Sequence, residues 1–164
     1  MTIVVEVQYA LQGTVLADDS EVPAPQEFKH WIVAALSGRR TDGELTLRVV
    51  GTDEGASLNE TYRHRKGPTN VLAFPVDSAE QLDLPLLGDL IICAPVVLRE
   101  AREQYKSPIA HWAHLTVHGT LHLLGYDHDD AHQAKIMEGL EADILADMGY
   151  PDPYAEEKEA RTAS

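Results

Sequence analysis

Four histidines, His111, His114, His118 and His122, fall in one stretch between Pro108 and Leu124. Read as a helix turning about 100° per residue, they share one face within an arc of roughly 80°. A single histidine on such a face, flanked here by Trp112, Leu115, Val117, Leu121 and Leu123, is ordinarily a core or surface residue with its hydrogen bonds made. Four together point to metal chemistry, because neutral imidazole is the commonest metal ligand. His118 and His122 stand at i, i+4, so both rings can reach one ion at about 2.0–2.1 Å. His114 and His122 are separated by about 12 Å of helical rise and cannot share that ion. A third ligand must come from beyond the helix. Gly125 lets the chain turn back, and His128 is in reach.

The segment His118-Gly-Thr-Leu-His122-Leu-Leu-Gly125-Tyr-Asp-His128 has the spacing of the metzincin metalloproteases. Three histidines without a cysteine favour a catalytic ion with an open coordination position. Imidazole suits zinc, copper, nickel and iron alike, and zinc is the default expectation, one ion per chain. Each ring's second nitrogen needs a partner, for which Asp127, Asp129 and Asp89 are the candidates. Asp129 or Asp130 can instead cap the following helix, and for Asp129 capping is the favoured role. The protease pattern breaks at one point. Its general-base glutamate directly follows the first histidine, and here that position is Gly119. Without a proton acceptor worth about 10²–10⁴-fold, peptide hydrolysis becomes the weaker reading. Glu54 could substitute from another element, but nothing in the sequence requires it.

The substrate clue is the run Arg63-His64-Arg65-Lys66, three fixed cations in a chain of net charge −14. So acidic a balance works against binding nucleic acid through the whole surface, which makes a local basic patch informative. Gly67-Pro68-Thr69-Asn70 follows with backbone and side-chain donors. Taken alone, such a loop is ordinarily a solvated surface feature. Beside a metal centre it suits phosphodiester cleavage, with an arginine neutralising charge on the transition state. Tyr62 and Tyr105 are either stacking platforms for bases or, preferentially, core and rim aromatics. Cys93 is the single cysteine, so the chain forms no internal disulfide and no cysteine-rich zinc cluster. The longest apolar run, Leu90 to Leu98, is broken by Pro95 and falls short of the ~20 residues of a membrane span. A soluble, cytoplasmic protein is expected.

The elements that must position these residues alternate in type. Ile3, Val5, Val7 and Tyr9 form one face of a first strand, and Phe28, Trp31, Ile32, Ala35 and Leu36 the buried face of a helix stopped at Gly38. Leu45, Leu47 and Val49 alternate as a second strand, followed by a short helix around Ser57 to Tyr62. Strands are expected at Val71–Val76 and Leu90–Ala94. Helices follow at Pro95–Tyr105, Pro108–Leu124 and Ala131–Met148, the last with a stripe of Ile136, Leu140, Ile144 and Met148. This is an α+β arrangement, one domain over residues 1–154 with a polar tail at 155–164.

The segment from His118 to His128 resembles the signature of the YbeY family of metal-dependent endoribonucleases and ribosomal RNA maturation factors. The resemblance extends to Asn59-Glu60-Thr61-Tyr62-Arg63, Thr69-Asn70-Val71-Leu72-Ala73-Phe74-Pro75, Gly88-Asp89-Leu90-Ile91 and His111-Trp112-Ala113-His114, in the family's order from near residue 45 to about 154. It implies a zincin-like α+β fold, a single mixed four-stranded sheet with the metal-binding helix packed on it. It implies zinc at His118, His122 and His128, and a part for Arg63 in RNA cleavage. The implied substrate is single-stranded ribosomal RNA, in maturation of the small-subunit 3′ end and in ribosome quality control. The implied partners are the small subunit and its assembly factors, in the bacterial cytoplasm and away from membranes. Ala73 stands where the family often has serine, and Lys66 where it often has aspartate. Two rivals remain: a metallopeptidase, and a ribosome-assembly module whose structural zinc is closed by Asp127, His132 or Cys93.

Overall fold

A computed structural model describes residues 2–16, 22–76 and 86–155. Strand β1 (Thr2–Ala10), helix α1 (Pro25–Leu36) and strand β2 (Asp42–Val50) come first. Helix α2 (Thr52–Arg63), strand β3 (Val71–Pro75) and strand β4 (Leu86–Cys93) follow. Helices α3 (Ala94–Glu103), α4 (Pro108–Leu123) and α5 (Ala131–Asp147) complete the order. The four strands make one mixed sheet in the order β1-β2-β4-β3. β1 and β4 run parallel to β2, and β3 pairs antiparallel to β4 at the edge. The expected α+β class and single mixed sheet are what is found.

Periodicity explains the packing. Leu45, Leu47 and Val49 point from alternate positions of β2 into the core, where Phe28, Trp31, Ile32, Ala35 and Leu36 of α1 meet them. Phe28 links the two helices: its ring stands edge-on to Trp31 of α1 at 5.7 Å and to Trp112 of α4 at 5.8 Å. α4 is the central helix, packed against α1, α3, α5 and strands β3 and β4. That explains why Trp112, Ala113, Leu115, Val117, Leu121 and Leu123 are all buried. Only a narrow face of α4 is left for polar chemistry.

Three elements differ from the sequence expectation. α2 begins at Thr52, five residues early, with Asp53 and Glu54 in its first turn where they complement the helix dipole. β4 begins at Leu86, because pairing on both sides overrides the weak strand preference of Gly88 and Asp89. Buried Leu87 is the extra residue where the β2–β4 register shifts. α5 is rotated: its buried face is Met137, Glu141, Ile144 and Leu145, while Ile136 is 46% exposed. No helix among the described residues is long and apolar enough to cross a membrane. Residues 156–164, most of the expected tail, lie outside the described residues.

Candidate metal centre

The last two turns of α4 place His118 above His122, with ring centroids 4.7 Å apart. Past Leu124, Gly125 takes φ 100°, a conformation that a Cβ would strain. The Gly125 N–H donates to the His122 carbonyl at 3.0 Å, and the Tyr126 N–H to that of Leu121 at 3.1 Å. The helix's free carbonyls are thereby satisfied as the chain reverses. His128 returns to 4.8 Å from His122 and 5.5 Å from His118, centroid to centroid. Each of the three rings offers a nitrogen, and the three nitrogens lie within 4.8 Å of one another. A set of neutral imidazoles so spaced can hold one divalent cation. Burial, then the neighbouring His118 and His128, depress His122 to about 4, so it presents a lone pair at neutral pH.

His118 is oriented from behind. Its Nδ1 hydrogen-bonds Oε1 of Glu141, a carboxylate with no exposed surface on α5. Nδ1 therefore carries the proton, and Nε2 is the nitrogen left to coordinate. Burial alone would raise Glu141, but the hydrogen bonds from His114 and His118 outweigh it and hold the carboxyl at about 2. His114 lies 3.5 Å from Glu141 Oε2 and belongs to this supporting layer. Burial pushes His114 down. His111 is a core histidine, its Nε2 3.0 Å from Glu100 Oε1. Glu100 in turn accepts the Asn70 amide at 3.0 Å and so fixes a side chain that lines the site.

The histidines floor a cleft of about 710 Å³ whose lining also includes Arg63, Arg65, Thr69 and Asn70. Arg63 ends α2, and His64 caps that helix in the left-handed region at φ 56°. Buried Asn59 holds the basic loop down through its amide, which donates to the Gly67 carbonyl at 2.8 Å. Arg63 and Arg65 thereby line the same cleft as the histidine cluster, whereas exposed Lys66 is not among the lining residues.

Asp127 and Asp129 line the cleft, with Asp127 Oδ1 4.0 Å from His128 Nδ1, while other sequence candidates sit elsewhere. Asp89 is exposed on β4, outside the cleft lining. Asp127 accepts the backbone N–H of His128 at 2.7 Å. The helix cap is Asp130, accepting from the Gln133 N–H at 2.8 Å, and not Asp129. Glu54 is engaged by Arg48 through two bonds of 2.6 and 3.1 Å and does not line the cleft. Cys93 is buried beside Val50 and Val96, and its thiol points to the Gly51 carbonyl. Among the described residues, neither Cys93, His132 nor Asp127 joins the three-histidine set. Tyr62 and Tyr105 are exposed, 59% and 94%, rather than core. Glu141 escaped the sequence reading altogether. The available signal was its place one turn from both Met137 and Leu145, on a helix that had to face a histidine-rich neighbour.

The sequence model of the Endoribonuclease YbeY family matches residues 15–149. The chain belongs to the YbeY endoribonuclease family. The endoribonuclease YbeY of Nitrosococcus oceani is 53% identical over 156 residues, which cover 94% of this chain and 98% of that protein. That of Pseudomonas syringae pv. tomato is 56% identical over 144 residues, 86% and 87% of the two chains. The fold is also that of TM1509 from Thermotoga maritima, whose solution structure superposes with a TM-score of 0.55 at 20% identity, covering 88% of this chain and 91% of the other. YbeY membership agrees with the sequence reading of a metal-dependent hydrolase acting on RNA.

Proposed function

We propose that this YbeY-family chain is a zinc-dependent endoribonuclease preferring single strands, with zinc at His118, His122 and His128 and Arg63 as the catalytic cation. The observation that carries the proposal is that three clustered imidazoles and an arginine pair line one cleft. When bound, zinc supplies Lewis acidity at a phosphoryl group. The chain's own residues do the rest. Glu141 fixes the tautomer of His118. Arg63 and Arg65 take phosphate oxygens through their guanidinium forks and screen charge as it builds on the phosphorus. The Asn70 amide, pinned by Glu100, orients the backbone. A side-chain-lined cleft grips a splayed strand more readily than a duplex. The physiological reading follows: maturation of the small-subunit ribosomal RNA 3′ end and ribosome quality control, in the bacterial cytoplasm, with the small subunit and its assembly factors as partners. Residues 1–154 act as one hydrolase domain, and 155–164 as a polar tail.

The peptidase alternative loses support where it most needs it, since Gly119 has replaced the base and Glu54 is paired with Arg48 outside the cleft. The deciding experiment incubates zinc-loaded protein with labelled single-stranded RNA, duplex RNA and unfolded casein, each with a chelated control. Cutting of the single strand that stops on chelation is the expected result. Chelator-sensitive cutting of casein with RNA left intact would overturn the proposal.

A further inference from the structure

Glu141 is a fully buried carboxylate with side-chain exposure of 0%. So costly a charge must be met by donors. Oε1 takes the His118 ring, and Oε2 takes the Tyr154 hydroxyl with the His114 ring 3.5 Å away. The hydrogen-bond directions can be assigned. An ionised carboxylate only accepts, so the Tyr154 O–H donates to Oε2. The Tyr154 oxygen can then accept from His114 Nε2, 3.2 Å distant. That places the His114 proton on Nε2 and leaves buried Nδ1 without a partner among the described residues, as observed. His118 and Tyr154 donate directly to the one carboxylate, with the His114 Nε2 proton shared between the Tyr154 oxygen and Oε2, and the carboxylate points at His118.

Tyr154 lies past α5, yet its position is built. The Trp31 indole N–H donates to the Tyr150 hydroxyl at 3.3 Å, and Lys106 Nζ to the Pro153 carbonyl at 3.1 Å. The Tyr154 N–H donates to Asp152 Oδ1 at 2.8 Å, and the Tyr154 ring stands edge-on to His114 at 5.3 Å. We infer that Tyr154 is a positioning residue for the metal centre: its hydroxyl locks the Glu141 carboxylate, which in turn holds the plane and tautomer of the His118 ring. This rests on the proposed metal role of His118, His122 and His128. It makes the segment after α5 part of the site, although it contributes no ligand.

The test compares Tyr154→Phe, which removes one oxygen and keeps the ring, with the unaltered protein and with Glu141→Gln. Zinc affinity is read by competition with a chromophoric chelator, ligand geometry by the visible absorption of the cobalt-substituted protein, and folding by melting of the metal-free chain. Removing such an outer partner typically weakens metal binding about 10–100-fold. Tyr154→Phe should weaken zinc by about tenfold and shift the cobalt bands, with metal-free melting close to that of the unaltered protein. Unchanged zinc affinity and cobalt spectrum would overturn the inference, as would a lowered melting temperature with affinity intact, which would make Tyr154 a packing residue only. If the unaltered protein itself bound no zinc, the metal centre would fall first and this inference with it.

Discussion

Gly119 follows His118 directly and occupies the position at which metzincin proteases carry their base, so its replacement tests why the base is missing. A Cβ built there lies 2.8 Å from Leu90 Cδ2 and 3.1 Å from Val71 Cγ2. Leu90 is fully buried on β4, so its methyl group must shift within the core. Overpacking of this kind costs about 1–3 kcal/mol. Replacing glycine in a helix interior returns about 1 kcal/mol of propensity. Gly119→Ala should therefore lose about 1 kcal/mol net, or roughly 2–4 °C in melting temperature for a domain of this size. Gly119→Glu meets the same wall with a longer, charged side chain. It should lose several-fold more and gain no casein hydrolysis. Thermal and urea unfolding of the three proteins, with a casein assay, are the measurements. If Gly119→Ala were stabilising by the full helix-propensity gain, or Gly119→Glu melted like the unaltered protein, the close approach of α4 to β3 and β4 would not be what excludes the base.

Replacing His118, His122 or His128 by Ala should each abolish stoichiometric zinc by metal analysis, whereas His114→Ala should retain it; full occupancy in His128→Ala would refute the three-histidine set. Arg63 is exposed at the end of α2, so Arg63→Ala should keep melting temperature and zinc while RNA cleavage falls by about 10²–10³, with only partial recovery in Arg63→Lys. Wild-type cleavage by Arg63→Ala would remove its assigned role. Acid should destabilise the metal-free protein in two windows. His122 is depressed to about 4, so the unfolded chain takes up that proton first and stability falls as pH drops from about 6.5 to 4. Glu141 is depressed to about 2, so its contribution is present above the ordinary carboxyl range and is lost as pH falls through 4 toward 2. Urea unfolding across pH should show both slopes, His122→Ala reducing the upper, to which depressed His114 also contributes, and Glu141→Gln flattening the lower; an unchanged upper slope in His122→Ala would count against the buried, neutral His122.

What the sequence made legible was local. The i, i+4 pair, the αL glycine and the returning His128 all lie within eleven residues, where helix geometry alone determines who meets whom. α1 was equally readable, because its five apolar positions fit one face of a 3.6-residue period and all five are buried. The outer layer was not readable, and the reason is physical. Apolar periodicity assigns a carboxylate to solvent, so α5 was oriented on Ile136, Leu140, Ile144 and Met148. In the folded chain Glu141 faces inward because His114, His118 and Tyr154, from two other segments, together meet its charge. That displaces Ile136 to the surface and brings Met137 and Leu145 inward. The same tertiary demand explains the surplus histidine: His114 is too far from His122 to share an ion, and its stripe position on α4 serves the carboxylate instead. A helix face carrying more imidazoles than one metal can use therefore implies a buried acid on whatever packs against it, and the helix that follows the turn at Gly125 was the element to search.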